Sequence, residues 1–167
     1  MSGSSSDFQK EMNDLVTRLG SLLTSKSHTL SVAESLTGGL ISTSIVGVPG
    51  VSSFFRGGVV AYGNDSKESI LGVRPQTLAV HGAVSMETAL EMAHGASRIF
   101  NSTMAVSATG IAGPAGGTKV KPVGLAYIAV ICTGKEIVSE KRYAGDRELV
   151  VRACTADALK QCIEAAE

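Results

Sequence analysis

The spacing of apolar side chains changes several times along the chain, and each change marks an element. Phe8, Met12, Leu15, Val16, Leu19, Leu22 and Leu23 recur every three or four residues, which predicts a helix with one apolar stripe and Ser6 or Asp7 as its cap. The Ser/Gly-rich residues 1–6 before it read as a disordered leader. Residues 29–33, TLSVA, alternate like a strand, and 38–46 read as a helix of small residues. The stretch SVAESLTGGLIS at 31–42 is therefore a strand-turn-helix junction with Glu34, Ser35 and Thr37 in its turn.

Residues 47–55 predict a loop with a short helical turn, and 57–63, GGVVAYG, a second strand. A short helix follows over 66–71, and another starts near Pro75, whose missing N–H is not needed in a first turn. Ser85 caps a longer helix reaching Phe100, with Ala89, Ala93, Ala96 and Phe100 on its inner face. TMAVSATG at 103–110 predicts a third strand that runs into the glycine-rich GIAGPAGGTKVKP. The nearly all-apolar 123–132 fits a strand covered on both faces, and the alternating 136–144 its hairpin partner nearer an edge. Asp146 caps a last helix through Ile163.

Strands that alternate with helices and end in one hairpin predict an α/β fold: a mixed, mostly parallel sheet with helices on both faces. With 167 residues, 44% of them hydrophobic, and neither repeat nor linker, residues 7–167 read as a single domain. The 15 basic and 15 acidic residues cancel, and four Phe, three Tyr and no Trp offer no stacking platform, so nucleic acid is not an expected partner. Nor is a membrane, since no apolar run is long enough to span one and the N-terminus lacks a signal-peptide pattern. Cys132, Cys154 and Cys162 form no C-x-x-C pair and stand at no metal-ligand spacing, which fits a reducing, cytoplasmic setting. The Ala- and Gly-rich helices can pack on the sheet or on a second copy, so a homo-oligomer stays open.

In a sheet of this kind sites form beyond the carboxyl ends of the strands. The loops there hold Glu34, Ser35 and Thr37 after the first strand, Tyr62, Asn64 and Lys67 after the second, and Thr109 and Gly110 after the third; Ser52 and Ser53 lie between the first two strands. Each has an ordinary alternative: the hydroxyls as helix caps, Glu34 as a solvated carboxylate, Lys67 as a surface lysine. The glycine-rich loop lacks both the Walker A order and the G-x-G-x-x-G fingerprint, which disfavours an ATP or dinucleotide fold. Its amides suit a phosphate or an oxyanion, or merely a connection. His28, His81 and His94 are scattered and suggest no Ser-His-Asp set.

AESLTGGLIS, GGVVAYGNDSKESILGV, HGAVS, ATGIAGPAGGTKVKPVG and GDR, in that order between Val32 and Arg147, resemble the CinA C-terminal-domain family, known as nicotinamide mononucleotide deamidases. The resemblance implies a three-layer α/β/α fold and hydrolysis of nicotinamide mononucleotide to nicotinic acid mononucleotide and ammonia, in pyridine nucleotide salvage. It also implies a serine and lysine mechanism with no metal or other cofactor and a small-molecule substrate as the partner. Carried over by motif, Ser52 attacks the amide, Lys67 takes its proton and Tyr62 orients the pair, with Ser35 as rival nucleophile. Oxyanion donors come from the Thr37, Gly38 and Gly39 turn or from Thr109 and the Gly110 N–H, and Arg147 holds the phosphate; Lys121 is a further candidate. The chain departs from the family pattern at Leu36, Gly57 and Lys119–Val120, none of them a proposed catalytic group.

The lysine role carries a physical condition. A free lysine, with a pKa of about 10.4, is neutral in only about one molecule in 10³ at pH 7, and lowering that pKa to about 7.5 costs roughly 4 kcal/mol. Burial or neighbouring cations must supply it, and a lysine in bulk water has neither. A non-catalytic nucleotide- or partner-binding module remains the alternative reading.

Overall fold

Four of five strands run the same way, three of them through helical crossovers and the last by two successive antiparallel reversals. The computed structural model describes residues 5–167. It contains α1 (Ser5–Ser25), β1 (Leu30–Glu34), α2 (Leu40–Val46), a 3-10 turn (Val51–Ser53), β2 (Phe55–Val60), α3 (Asn64–Ser69), α4 (Pro75–His81), α5 (Met86–Phe100), β3 (Met104–Gly110), β4 (Leu125–Cys132), β5 (Lys135–Arg142) and α6 (Arg147–Ala166). The sheet order is β2-β1-β3-β4-β5. Helical crossovers let β2 and β3 flank β1 in parallel, with Glu34 opposite both Val60 and Ala108. β4 runs antiparallel to β3, and β5 returns beside β4 through Thr133 and Gly134, both at positive φ. A two-residue turn of this kind matches the twist of the strands it joins.

The two faces of the sheet are built differently. Leu30, Val32, Met104, Val106, Ile128 and Val130 face α1, α2 and α6 and form a core with Met12, Leu19, Ile41, Cys154 and Leu159. The other face carries Ala33, Ala105 and Ala129, with Ser31 and Ser107 buried, and meets Ala89, Met92, Ala93 and Ala96 of α5. Small side chains on both sides bring α5 down onto the sheet, close enough for the Ser107 hydroxyl to donate to the Ala89 carbonyl at 2.5 Å. The result is a three-layer α/β/α fold.

Local details depart from the sequence expectation where pairing, not pattern, sets the boundary. β2 starts at Phe55 because that residue pairs with Leu30, and it has ended before Ala61 and Tyr62. Ser5 and Ser6 already lie within the first helix, so its start precedes the expected cap position at Ser6 or Asp7; the rest of the expected leader, residues 1–4, lies outside the described residues. α6 continues beyond Ile163 to Ala166. Phe100 is only half-buried, its ring lying over Gly57 of β2, where φ is +143° and a Cβ would stand 2.5 Å from the ring edge. All three cysteines are free and buried, and burial pushes the Cys154 thiol up to about 12.

A tight α5 makes a testable demand. Gly95 lies against the Leu71 backbone so closely that an added Cβ would overlap its carbonyl. Gly95→Ala gains about 1 kcal/mol of helix propensity yet is expected to lose roughly 1–3 kcal/mol overall through overpacking. Urea denaturation checks this, and an unchanged or raised midpoint would mean that the turn after α3 that carries Leu71 yields freely to α5.

Candidate active site

The parallel strands β2, β1 and β3 deliver three chain segments to one edge of the sheet. Ser35 follows β1 directly, its N–H bound to the Ala108 carbonyl of β3 at 3.0 Å. Ala61 and Tyr62 follow β2, and the short α3 folds Lys67 back toward them, with the Lys67 N–H on the Gly63 carbonyl. Thr109 and Gly110 end β3.

Lys67 is only 1% exposed, the largest side chain to be so fully buried among the described residues. Its Nζ lies 2.8 Å from the Ala61 carbonyl, 3.1 Å from that of Tyr62 and 3.0 Å from Ser35 Oγ. No ion pair among the described residues involves it. Burial without a counter-charge lowers its pKa below the usual 10.5. The ammonium form donates to all three oxygens. Once the proton is lost, two N–H groups stay on the carbonyls and the lone pair is left toward Ser35 Oγ, which then donates to it. The arrangement can hold a serine hydroxyl against a neutral amine.

Glu34 is no part of that pair. Fully buried, it accepts from Gly39 N (3.0 Å) and Ile41 N (3.0 Å) on Oε2, and from Ser42 N (2.8 Å) and Ser42 Oγ (2.7 Å) on Oε1. It caps the first turn of α2 from the preceding strand, and four donors occupy both its oxygens. The clamp excludes the alternative of a solvated carboxylate.

A cavity of about 230 Å³ opens over the dyad, lined by Ser35, Leu36, Tyr62, Lys67, Thr109, Gly110 and Arg147, by Ala83 and Val84, and by Ile111 to Gly116 of the glycine-rich loop except Pro114. Gly110 has to be glycine, since a Cβ there would come within 2.6 Å of the Leu125 carbonyl. The exposed Arg147, first residue of α6, donates to the Gly113 carbonyl at 2.9 Å and to Tyr62 Oη at 3.1 Å, tying the loop to the β2 end. Tyr62 therefore meets Arg147 through its phenol and Lys67 only through its backbone. Thr109 donates its proton to the Ala83 carbonyl at 2.7 Å, so it cannot also donate to an oxyanion.

Three expectations are corrected. Ser52 lies exposed in the 3-10 turn before β2, at the opposite edge of the sheet from Lys67, with its neighbours Val51 and Ser53 lining a separate groove beside α1. The six residues of β2 lie between them, and at about 3.3 Å each they separate the two groups by roughly 20 Å. Lys121 does not line the cavity; its Nζ donates to the His81 carbonyl and fastens the loop to the end of α4. Thr37 and Gly38 do not line the cavity: Gly38 is exposed with its N–H spent on the Ser35 carbonyl, and Thr37 is buried with its hydroxyl unpartnered among the described residues. Ala83, Val84 and Ala112 were missed, because alanine and valine carry no chemical signal; only their place in HGAVS and the glycine-rich loop pointed to them.

Comparison with known proteins finds the family model described as CinA C-terminal domain matching residues 12–166. A competence-damage inducible protein of Clostridioides difficile is 46% identical over 156 residues, covering 93% of this chain and 37% of its own length. A CinA-like protein of Fervidobacterium nodosum is 50% identical over 147 residues, covering 87% of this chain and 35% of its own. The chain thus spans about a third of the length of these curated relatives. Among solved structures, the competence/damage inducible protein CihA of Agrobacterium tumefaciens superposes with a TM-score of 0.91 at 39% identity, covering 94% of this chain and 96% of that one. A CinA superfamily protein of Klebsiella pneumoniae gives 0.89 at 32% identity, with 93% and 97% covered.

The desolvated lysine has a thermodynamic signature. Because the folded state holds Lys67 below 10.5, the unfolded chain keeps a proton that the folded one has released, and stability rises with pH between those two values. Urea melts of wild type and Lys67→Met, from neutral pH to about 10, are expected to show the difference moving in favour of wild type as pH rises. A difference independent of pH would mean that the amine titrates like one in water.

Proposed function

The chain belongs to the CinA C-terminal domain family, and from the site it carries we propose that it is an amidohydrolase that converts nicotinamide mononucleotide to nicotinic acid mononucleotide and ammonia. The observation that carries this reading is the buried contact of 3.0 Å between Lys67 Nζ and Ser35 Oγ at the floor of the cavity. Ser35, rather than Ser52, is the nucleophile.

Neutral Lys67 takes the Ser35 proton as Oγ attacks the carboxamide carbon. The tetrahedral adduct collapses as the lysine ammonium gives its proton to the departing nitrogen; the C–N bond breaks, ammonia leaves and a serine ester remains. Water then attacks the ester carbon, Lys67 takes its proton and returns it to Ser35, and the carboxylate product is freed. The two carbonyls that hold Nζ keep its lone pair on the serine through both half-reactions. Arg147, at the rim, suits the phosphate, because its neutral partners, a phenol and a carbonyl, compete weakly with a charged one.

Ammonia release from nicotinamide mononucleotide tests the reading. Ser35→Ala and Lys67→Met are expected to lower kcat by about 10³-fold or more, while Ser52→Ala stays near wild type. Arg147→Gln is expected mainly to raise KM, by roughly 10–100-fold. Saturable binding of the nucleotide without product would favour the nucleotide-holding module instead. The kcat/KM profile of an active wild type should rise with pH through one deprotonation below 10.5, since the base must first lose its proton; a flat profile would remove Lys67 from that role.

A further inference from the structure

The turn after β1 contains more free donors than a chain connection needs, and one residue accounts for its shape. Of the amides from Ser35 to Ser42, those of Ser35, Gly38 and Leu40 donate to backbone carbonyls, and those of Gly39, Ile41 and Ser42 donate to the Glu34 carboxylate. The N–H groups of Leu36 and Thr37 meet no acceptor among the described residues, and of these two only Leu36 lines the cavity with Ser35. Of the other expected donors, Thr109, Gly38 and Gly39 are spent on the Ala83 carbonyl, the Ser35 carbonyl and the Glu34 carboxylate.

We propose that Glu34 is a positioning residue for the acyl-transfer step: its carboxylate locks the turn so that Ser35 Oγ stays on Lys67 and the unspent Leu36 amide is held beside it for the developing oxyanion. This rests on the amidohydrolase reading of the same site. The geometry supports a dedicated role, because Glu34 reaches over five to eight residues to saturate both its oxygens on one turn. It is also guarded from behind: Gly58 of β2 leaves the space that Ser42 Oγ fills, and a Cβ there would overlap that hydroxyl. The amide adjacent to a nucleophile is a natural oxyanion donor, and loss of one such donor costs about 10²–10³-fold in kcat.

Two variants and two readouts test it. Glu34→Gln turns an NH2 group toward two of the four donors, and Gly58→Ala presses on Ser42 while leaving Glu34 in place. In ammonia release, Glu34→Gln is expected to lose about 10²-fold in kcat with KM within about 3-fold. The second readout does not depend on the substrate: the rate of Ser35 phosphonylation by a fluorophosphonate, followed by mass across pH. Glu34→Gln should label about 10²-fold more slowly and Gly58→Ala about 3–10-fold more slowly, with the pH midpoint unmoved because Lys67 is untouched. A purely structural role would lower the amplitude, the fraction of folded protein, and leave the rate constant alone. That result, or a shifted midpoint, overturns the positioning role. If Glu34→Gln does not fold, a wild-type labelling rate in Gly58→Ala overturns it. Wild type that labels at Ser35 but releases no ammonia from nicotinamide mononucleotide rejects that substrate only, and the labelling rates still decide on Glu34; wild type that resists labelling overturns both.

Discussion

A lysine amine that has left water and found no carboxylate is the constraint around which the site is organised. Lys67 gives up hydration on burial and receives in exchange two backbone carbonyls and one hydroxyl, all neutral. An acidic partner would have stabilised the ammonium and silenced it as a base; neutral acceptors satisfy its N–H groups without doing so. The carbonyls come from Ala61 and Tyr62, just past the end of β2, where the Ala61 N–H still binds the Glu34 carbonyl of β1 but neither carbonyl meets a backbone N–H among the described residues. The end of an edge strand thus supplies acceptors that a continuing ladder would have consumed.

The rest of the fold serves that placement. Parallel pairing on both sides of β1 brings Ser35, Tyr62 and Thr109 to one edge, and the tie from Ser35 N–H to Ala108 fixes the serine against β3 rather than leaving it on a free loop. The small-residue face under α5 lets the Ala83–Val84 segment come close enough to wall the cavity and take the Thr109 proton. Arg147 closes the ring by joining α6, the glycine-rich loop and Tyr62. Solved relatives of nearly the same length share this architecture, while the longer curated relatives carry it in about a third of their chain.

One carboxylate-bearing and two hydroxyl-bearing positions changed meaning once the chain was folded. Glu34 looks like a first-turn surface carboxylate because it precedes a helix, yet its side chain is the cap of that helix, applied from the strand. Along the chain the motif resemblance favours Ser52 as nucleophile and leaves Ser35 as its rival. They sit at opposite ends of β2, and a strand is a rigid spacer, so only one can reach the lysine.

Periodicity, with the cap and proline signals of Pro75, Ser85 and Asp146, located the six helices and five strands of the described residues within a few residues, because alternation, the three-to-four repeat and capping follow from backbone geometry that every segment carries locally. The ordered motifs pointed to the family and to Lys67, Tyr62, Thr109, Gly110 and Arg147 as cavity residues, since glycines, lysine and arginine at strand ends leave a signal in composition. What the chain could not disclose were relations across space: the register that starts β2 at Phe55, the desolvation of Lys67, the silent wall of Ala83 and Ala112, the diversion of Lys121 to His81 and which of two serines reaches Lys67. Each depends on which strand ends meet, and that is fixed by long-range pairing and packing, not by any residue's neighbours in sequence.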